Sequence, residues 1–496
     1  MNLAHLLDGH PDDRSALLSR GHVTTYGELR RQVEEQRAGL AEVGIEPGDR
    51  VGIVVANNPN FVVVYFAVLG LGAVAVPLNP TSPSAELAAQ LDAIGARAVV
   101  IGPSGRAAMA GVSRVSIPSV EHMFVTDSVE LDGARPLREV RASLGGGVIE
   151  RDRDDLAALL FTAGTSGLPK AAMLTHENLL ANLDQMQSHP EHALGPDDVV
   201  LGVLPMFHIF GLNVLLGLAM KAGASILLVE RFDPASALDS IRDRGVTIVA
   251  GAPPMYAAWA RVPGADPTAF ASVRLAASGA AALPSDVADQ FEARFGIAIH
   301  EGYGLTEAAP TVTSSVGAPP RPGSIGVPLP GVEVRLVDED GLDALDGDAG
   351  EIWVRGPNVF AGYWGDAEAT ARVVTEDEWL RTGDVATVDD DGYLYLVDRA
   401  KDLIIVSGFN VYPAEVEAVM AEHPGVAEVA VVGVPHPHSG EAVKAYVVAA
   451  GADVEEDDLI EFCATRLARY KCPGKVMFVD SLPKGLGGKL RRRELQ

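Results

Sequence analysis

The sequence predicts an α/β protein with a large N-terminal domain and a small α+β C-terminal domain. Its 496 residues are too many for one hydrophobic core, so the chain should divide into at least two domains. Strand-like apolar runs alternate with amphipathic segments, which favours layers of helix and largely parallel sheet. The pattern changes near Asp398, and the residues beyond it are numerous enough to bury a second core. We therefore expect domains at 1–398 and 399–496.

Each element is predicted from its periodicity and its boundary residues. A start signal at Thr25 opens a helix that ends before Gly44, and a second capped start occurs at Thr175. Short runs of β-branched and other apolar residues indicate buried strands. The acidic runs 338–348 and 389–391 indicate solvated hairpin turns. The predicted strands are 51–56, 99–101, 156–161, 225–229, 246–250, 332–337, 426–434 and 442–449, and the C-terminal helices are 414–423 and 457–470.

Composition excludes several classes of protein. The net charge of −28 argues against binding nucleic acid or an anionic membrane, since both require basic surface. Cys463 and Cys472 are too few for a disulfide framework or a cysteine-rich metal site. Residues 1–14 lack a secretory apolar segment. We therefore expect a cytoplasmic protein.

Two apolar stretches are long enough to cross a bilayer, at 61–78 and 201–220. Glycines at 70 and 72 and a proline-rich exit divide the first into a helix and a strand. Pro205 interrupts the second, and neither stretch has a basic flank. We therefore predict no membrane span and assign both stretches to the buried core.

A glycine- and hydroxyl-rich segment, Phe-Thr-Ala-Gly-Thr-Ser-Gly-Leu-Pro-Lys, occupies 161–170. Glycine allows the backbone to approach a ligand closely, hydroxyls and amides donate to anions, and a lysine charge suits phosphate. The Walker spacing is absent, because Lys170 follows Gly167 by three positions and Ala171 comes next. An ordinary polar turn is the alternative. The predicted phosphate cradle comprises Thr162, Ala163, Gly164, Thr165, Ser166, Gly167 and Lys170.

A second segment, Glu-Gly-Tyr-Gly-Leu-Thr-Glu, occupies 301–307. Glycines on both sides of Tyr303 suit a backbone that passes close to a stacked base. Thr306 can donate to a phosphate, and Glu307 is a hard oxygen ligand of the kind that Mg²⁺ prefers. Taken alone, the segment could be a hairpin turn.

These two segments, in this order, resemble the nucleotide motifs of the adenylate-forming superfamily, which includes acyl-CoA synthetases, luciferases and peptide-synthetase adenylation domains. Ala163, Ser166 and Ala171 differ from the residues that the first motif usually has at these positions. The resemblance covers nearly the whole chain. It implies the acyl-CoA synthetase fold, with a multi-layer N-terminal domain and a small mobile C-terminal lid, and it implies ATP, Mg²⁺ and coenzyme A as cofactors and substrates.

The resemblance also implies residue roles on the N-terminal side. Tyr303 would be the adenine platform and Glu307 the magnesium ligand beside Thr306. His208 would gate the carboxylate channel and Phe210 would line the acyl pocket, although a lone histidine among apolar residues is more often part of the core. Asp384 and Arg399 would bind the ribose, although an aspartate in an acidic turn is common. The remaining expected contacts with nucleotide or acyl group are Gly279, Ala280, Ala281, Glu301, Gly302 and Gly304.

The same resemblance extends to the lid. Ser407, Gly408 and Phe409 match a motif that would line the pantetheine tunnel after the lid turns about Lys401. The ending Pro-Lys-Gly-Leu-Gly-Gly-Lys makes Lys489 the expected adenylation lysine. A disordered basic tail is the alternative there.

The predicted activity is that of an acyl-CoA synthetase, an acid–thiol ligase that forms an acyl-adenylate and pyrophosphate and then transfers the acyl group to CoA with release of AMP. Small residues at Ala280, Ala281 and Gly302, with no cation at 302, favour a monocarboxylic acid of medium or long chain, and hence fatty acid metabolism. An aryl-acid CoA ligase, a free-standing adenylating enzyme that loads an acyl carrier protein, and a non-catalytic nucleotide sensor are the alternatives. The sequence does not decide whether the chain forms a homodimer with a second copy of itself.

Overall fold

The computed structural model contains a large N-terminal α/β domain and a small C-terminal α+β domain, as the sequence predicts. It describes residues 1–126, 129–142, 146–162, 170–188, 193–338, 340–345, 347–399, 404–451, 454–483, 492 and 495; the side chains of 397–399, 410 and 414 are outside that description.

The strands and helices follow the predicted order closely. The first helix, the capped helix after Thr175 and the short buried strands are all confirmed. The strands are β1 Ser15–Ser19, β2 His22–Thr25, β3 Arg50–Val54, β4 Val74–Pro77, β5 Ala98–Ile101, β6 His122–Val125, β7 Arg135–Pro136, β8 Leu156–Thr162, β9 Lys170–Thr175, β10 Val199–Gly202, β11 Ser225–Leu228, β12 Ile248–Gly251, β13 Leu275–Ser278, β14 Ile299–Gly304, β15 Thr311–Ser314, β16 Val327–Pro328, β17 Glu333–Val337, β18 Gly350–Arg355, β19 Leu380–Val388, β20 Leu394–Arg399, β21 Ile404–Val406, β22 Phe409–Val411, β23 Val426–His436, β24 Gly440–Ala449 and β25 Lys475–Phe478. The helices are α1 Tyr26–Glu42, α2 Pro59–Gly70, α3 Ser84–Ala93, α4 Arg106–Ala110, α5 His176–Met186, α6 Leu218–Ala222, α7 Pro234–Asp243, α8 Pro253–Arg261, α9 Ser285–Phe295, α10 Ala367–Val373, α11 Pro413–Ala421 and α12 Glu456–Ala464.

Two mixed sheets form the body of the N-terminal domain. One has the order β7-β6-β5-β3-β4-β8-β9, and the other β16-β15-β14-β13-β12-β10-β11-β1-β2. Their central pairs are parallel, and antiparallel pairs occur at the edges, such as β8–β9 and β14–β15. Because parallel neighbours require crossover connections, helices alternate with strands here.

The first apolar stretch is a helix followed by a strand, α2 and β4. Ten consecutive residues of α2, 61–70, are buried, and its side chains share one core cluster with strands of both large sheets. A helix that is hydrophobic on all sides is expected in such a position. The rejection of a membrane span at 61–78 therefore agrees with the packing.

The second apolar stretch begins in β10 and continues through a π-helical segment, Phe210–Gly217, into α6. The buried amide of Asn213 donates to the carbonyls of Leu179 and Ala309, at 3.2 and 2.8 Å, which ties this segment to its neighbours. Within the described part of the chain, every helix is too short or too polar to span a bilayer.

A four-stranded antiparallel sheet, β17-β18-β19-β20, precedes the C-terminal domain. The acidic runs fall between β17 and β18 and between β19 and β20, so they belong to hairpin connections as predicted. β20 ends at Arg399, and β21 begins at Ile404 in a different sheet. The domain division at 398/399 stays a prediction.

The C-terminal domain packs α11 and α12 on a sheet of order β22-β21-β24-β23, with β25 beside β24. One prediction for this domain is wrong in length: the helix expected at 457–470 is α12, which ends at Ala464. The amide of Ala468 donates to the carboxylate of Glu86, 2.9 Å away in the N-terminal domain. A contact between the domains therefore replaces the helical hydrogen bond that the periodicity predicts.

Candidate active site

A cavity of about 520 Å³ lies where the ends of β12, β13 and β14 meet the C-terminal domain. In an open α/β sheet, ligands bind outside the carboxyl ends of the strands. Residues of both domains form the wall. Those that the sequence predicted are Thr162, Lys170, His208, Phe210, Gly279, Ala280, Ala281, Glu301, Gly302, Tyr303, Gly304, Thr306, Glu307, Asp384, Gly408 and Phe409.

Strand register brings the small-residue segments together. Gly251, Ser278 and Glu301 are cross-strand neighbours, so the residues that follow Ser278 and Glu301 emerge side by side. A Cβ at Gly279 would lie 3.2 Å from Phe210 Cε1, which shows how closely the aromatic ring approaches this backbone. Ala280 adopts φ +68°, a left-handed conformation that is uncommon outside glycine.

The predicted phosphate cradle connects two antiparallel strands. Thr162 at the end of β8 pairs with Lys170 at the start of β9, and residues 163–169 between them (Ala163, Gly164, Thr165, Ser166 and Gly167 among them) lie outside the described residues. Lys170 Nζ lies 3.7 Å from an Asp366 carboxylate oxygen and 5.2 Å from the centre of the Tyr363 ring. The lysine therefore enters the cavity wall with its charge partly balanced.

Tyr363 connects this lysine to the second motif. Its hydroxyl donates to Glu307 Oε1 at 2.7 Å, while its ring faces Lys170. Burial and the facing Glu307 both raise the pKa of Tyr363, so its hydroxyl remains a donor. One carboxylate oxygen of Glu307 is thus held in place, and Thr306 beside it also lines the cavity.

A second tyrosine–carboxylate pair lines the same cavity. The Tyr303 hydroxyl donates to Asp384 Oδ2 at 2.7 Å. Burial raises the pKa of Tyr303, and the nearby Asp384 raises it further. Asp384 pairs with Arg399 across β19 and β20, but the side chain of Arg399 lies outside the described residues.

His208 is neutral at physiological pH. Burial lowers its pKa to about 4. Its Nδ1 accepts a hydrogen bond from the amide of Phe210 at 3.3 Å, and its ring meets the edge of Phe409 with centroids 6.3 Å apart. The imidazole therefore adds no fixed positive charge to this part of the cavity.

Glu301 has an unusual protonation equilibrium. Burial raises its pKa to about 7, although the amide of Leu283, which donates to its Oε2 at 3.2 Å, acts in the opposite direction. The carboxyl therefore changes charge near neutral pH.

The C-terminal domain contributes the Gly408 loop. Ser407 and Gly408 have φ values of +53° and +86°, and a Cβ at 408 would lie 2.9 Å from that of Ala252. Phe409 stacks between Phe207 and Tyr470, with centroids 6.1 and 4.6 Å away.

Of the predicted lid residues that the structure describes, one is not brought to the cavity. Ser407 is not among the lining residues; its amide donates instead to the carbonyl of Ser439 at 2.7 Å. Lys401 and Lys489 lie outside the described residues. Arg492, near the end of the chain, pairs with Glu417 at 2.7 Å.

Sequence reasoning missed several residues of this wall. Tyr363 and Tyr412 line the cavity. Gly362, which has φ +119°, precedes Tyr363 and could have indicated an unusual backbone conformation at that point. Glu86, Tyr470 and Lys471 also line it. An acidic residue in the first turn of a helix usually indicates only a favourable interaction with the helix dipole, so Glu86 offered no signal of its own.

The residues present fit Mg²⁺ held jointly with a nucleotide. Among the described residues, no group of three or more acidic, histidine or cysteine side chains forms a protein-only metal site. Mg²⁺ commonly uses one or two carboxylates plus substrate phosphates. Glu307, with one oxygen held by Tyr363, matches that arrangement.

Comparison with known proteins agrees with this geometry. The AMP-binding enzyme family model matches residues 3–364, and the model of the AMP-binding enzyme C-terminal domain matches 415–489. A feruloyl-CoA synthase of Amycolatopsis sp is 39% identical over 97% of this chain and 95% of its own length. A long-chain-fatty-acid–CoA ligase of Salmonella typhimurium is 36% identical over 98% and 91%.

A solved structure matches over the whole chain. The amide bond synthetase McbA of Marinactinospora thermotolerans superposes with a TM-score of 0.89 at 32% identity, covering 100% of this chain and 99% of that one. The predicted family and fold are thereby confirmed. The chain belongs to the AMP-binding enzyme family of the adenylate-forming superfamily, in its branch of AMP-forming acyl-CoA ligases.

Proposed function

We propose that this protein activates a monocarboxylic acid with an extended apolar tail, most favourably a medium- or long-chain fatty acid, and transfers it to CoA. The observation that carries the proposal is the shape of the cavity. Its lining extends from the nucleotide residues at the carboxyl ends of the strands to Ile248 and Leu275, the first residues of β12 and β13, and both of these side chains are apolar.

The depth of the pocket follows from strand geometry. Successive side chains of a strand point to opposite faces, so Leu275 and Ala277 in β13 and Gly279 just after it share one face. All three line the cavity. At about 3.3 Å per residue, Leu275 lies about 13 Å from Gly279 along the strand. Met186, Leu194 and other apolar side chains continue the lining. A chain of several methylenes fits such a space, and each buried CH₂ contributes about 0.8 kcal/mol.

In the first step a carboxylate oxygen attacks the α-phosphorus of ATP, and pyrophosphate leaves. Tyr303 would stack on adenine, and Asp384 would accept from the ribose hydroxyls. Lys170 and the 163–169 loop would hold phosphates, and Lys489 would stabilise the charge that develops. Mg²⁺, held by Glu307 and the phosphates, would neutralise charge on the phosphoryl oxygens.

In the second step the thiol of CoA attacks the acyl carbonyl, and AMP leaves with its phosphate. Gly408 would line the path of the thiol, and the absence of a side chain lets its loop approach Ala252 closely, since a Cβ at 408 would lie 2.9 Å from that of Ala252. The neutral His208 would let the carboxylate pass during the first step, and the edge of Phe409 lies against it in the arrangement seen here. An acyl carrier protein as thiol donor, a homodimer and a cytoplasmic location remain predictions.

A panel of acids tests the substrate. We expect hexanoate to dodecanoate to exceed acetate and malonate by about tenfold or more in kcat/KM, because a few buried methylenes supply the difference. Pyrophosphate release measures activation, and CoA-dependent AMP release measures transfer. A preference for acetate or malonate would contradict the proposal.

Aryl acids are the second candidate. The observation that favours them is the 39% identity to a feruloyl-CoA synthase over nearly the full length of both chains. Ferulate and 4-coumarate therefore belong in the same panel. If they exceed the fatty acids, the acyl-CoA ligase assignment stands and the substrate class changes.

A further inference from the structure

A buried ion cluster joins the two domains beside the cavity. Glu86 belongs to α3 in the N-terminal domain, and Lys471 follows α12 in the C-terminal domain. Lys471 Nζ lies 3.0 Å from Glu86 Oε1 and 2.8 Å from Glu415 Oε1. The side chains of Lys471, Glu86 and Glu415 are only 5%, 7% and 3% exposed, so solvent hardly screens these contacts.

Glu86 uses both of its oxygens for the other domain. Its Oε2 accepts from the amide of Ala468 at 2.9 Å, while Oε1 faces Lys471 and is 3.4 Å from Gln90 Nε2, one helical turn away. A buried carboxylate is costly unless its oxygens are paired. The contacts to Lys471 and to Ala468 must therefore form together, and only one orientation of the domains provides both.

That orientation is the one in which the Gly408 loop faces the cavity. Tyr470, adjacent to Lys471, stacks on Phe409 with centroids 4.6 Å apart. Phe409 in turn stacks on Phe207 and lies perpendicular to the ring of His208. A continuous set of contacts therefore runs from Glu86 to the position of the reacting acyl group.

We propose that Glu86 is a positioning residue for the thiol-transfer step: its carboxylate holds Lys471 and the Ala468 amide, and so fixes the C-terminal domain with Gly408 at the cavity. The inference rests on the proposed function and on the predicted turn of the C-terminal domain about Lys401, by which Lys489 and Gly408 would serve different steps. The Lys471–Glu415 contact lies within one domain and can persist in both orientations, whereas the contacts of Glu86 must break.

Charge supports this assignment. Burial alone would lower the pKa of Lys471, but Tyr470, Glu86 and Glu415 raise it by more, so the lysine is cationic while the contact is made. The two glutamates thus provide a matched pair of variants. Glu86→Gln removes the charge contact between domains, and Glu415→Gln removes one within a domain, at the same lysine.

The half-reactions test the proposal kinetically. In Glu86→Gln, thiolysis of supplied acyl-adenylate by CoA should fall about tenfold, the cost of one hydrogen-bonded charge contact, while ATP–pyrophosphate exchange is maintained. Glu86→Asp, which keeps the charge, should recover most of the thiolysis rate. Glu415→Gln should alter both half-reactions in equal proportion. Equal losses in Glu86→Gln, or unchanged thiolysis, would overturn the proposal.

Hydrogen exchange tests the contact without any substrate. In the full-length protein, the peptide spanning 465–472 should exchange several-fold faster in Glu86→Gln than in the parent, because glutamine offers one acceptor oxygen where the carboxylate offers two, and Lys471 and the Ala468 amide can no longer both be paired. Peptides from β23 and β24 should not change. Unaltered exchange at 465–472 would overturn the contact whatever the activity. A parent that catalyses neither half-reaction would instead contradict the proposed function, and exchange would still decide the contact.

Discussion

Two regions of the cavity differ in where their interacting residues come from. We call the residues around Tyr303 and Tyr363 the nucleotide side, and the contacts between the N-terminal and C-terminal domains the seam. On the nucleotide side, Tyr303 binds Asp384 and Tyr363 binds Glu307, and all four residues belong to the N-terminal domain. At the seam, Phe409 stacks on Phe207, and Lys471 binds Glu86 across the domain boundary. If the C-terminal domain turns as we propose, the first set would keep its geometry, whereas the second would exist in one orientation only.

The difference suggests how one cavity can serve two reactions. Groups needed throughout should have partners within one domain, and groups needed for one step should depend on the seam. Variants that affect one side and spare the other are therefore the most informative tests.

The largest effect is expected at the seam. Gly408→Leu should abolish thioester formation and leave pyrophosphate exchange intact. Even the Cβ of a residue at 408 would lie only 2.9 Å from that of Ala252, so a leucine cannot be accommodated in this orientation. Gly440→Leu is a matched control. The φ of Gly440 is also positive, at +80°, but a Cβ at this position would lie 3.9 Å from the carbonyl oxygen of Ile405 and 4.0 Å from Cγ of Pro254, which is ordinary contact. Both half-reactions should be measured in both variants. Loss of pyrophosphate exchange in Gly408→Leu would mean that the seam serves both steps.

The next largest effect concerns Lys489. Lys489→Ala should slow acyl-adenylate formation by about 10²–10³, the usual cost of one preorganised donor. Supplied acyl-adenylate should still react with CoA at a near-parental rate. Lys484→Ala, in the same tail, serves as the control. If Lys489→Ala and Gly408→Leu impair the same half-reaction, the two-orientation scheme must be withdrawn.

A moderate effect is expected from the two tyrosines. Tyr363→Phe should reduce adenylation about tenfold at low Mg²⁺ and recover at high Mg²⁺, because the lost hydroxyl held one oxygen of Glu307. Tyr303→Phe removes the equivalent hydroxyl from Asp384 and should raise the KM for ATP instead. Magnesium titrations of ATP–pyrophosphate exchange, together with Mn²⁺ binding to the ATP complex, distinguish the two. The same magnesium dependence in both variants would contradict the separate roles.

The smallest effect is expected at Glu301, a buried carboxyl on the nucleotide side whose environment comes from the N-terminal domain alone. Burial raises the pKa of Glu301 from 4.5 to about 7, so between these values the folded protein holds a proton that the unfolded chain releases. Its contribution favours folding at low pH and is lost as the pH rises through 7. Glu301→Gln should therefore raise the melting temperature relative to the parent at pH 8 more than at pH 6, by about 1–3 °C. An equal difference at both pH values would contradict the raised pKa.

Local sequence predicted the elements well where one physical cause decides them. Thr25 and Thr175 make capping boxes, and both helices begin beside them. The apolar stretch 61–78 divides at its glycines into α2 and β4. The helix after 457 was predicted too long because its amphipathic pattern continues, while the Ala468 amide bonds to a distant carboxylate. No periodicity contains that information.

The sequence alone determined the motifs, their order and the chemistry of their side chains: a glycine-rich loop with Lys170, an acidic Glu307, an Asp384 and a C-terminal Gly408. Residue chemistry indicates the first two, and the resemblance of short motifs to those of a known family indicates Asp384 and Gly408; both kinds of information are local in the sequence. Tertiary structure decided which groups meet, namely Tyr363 with Glu307, Tyr303 with Asp384, and Glu86 with Lys471. The two residues of each pair are 56, 81 and 385 positions apart along the chain, in that order. Such pairs depend on how sheets and domains pack rather than on any local pattern.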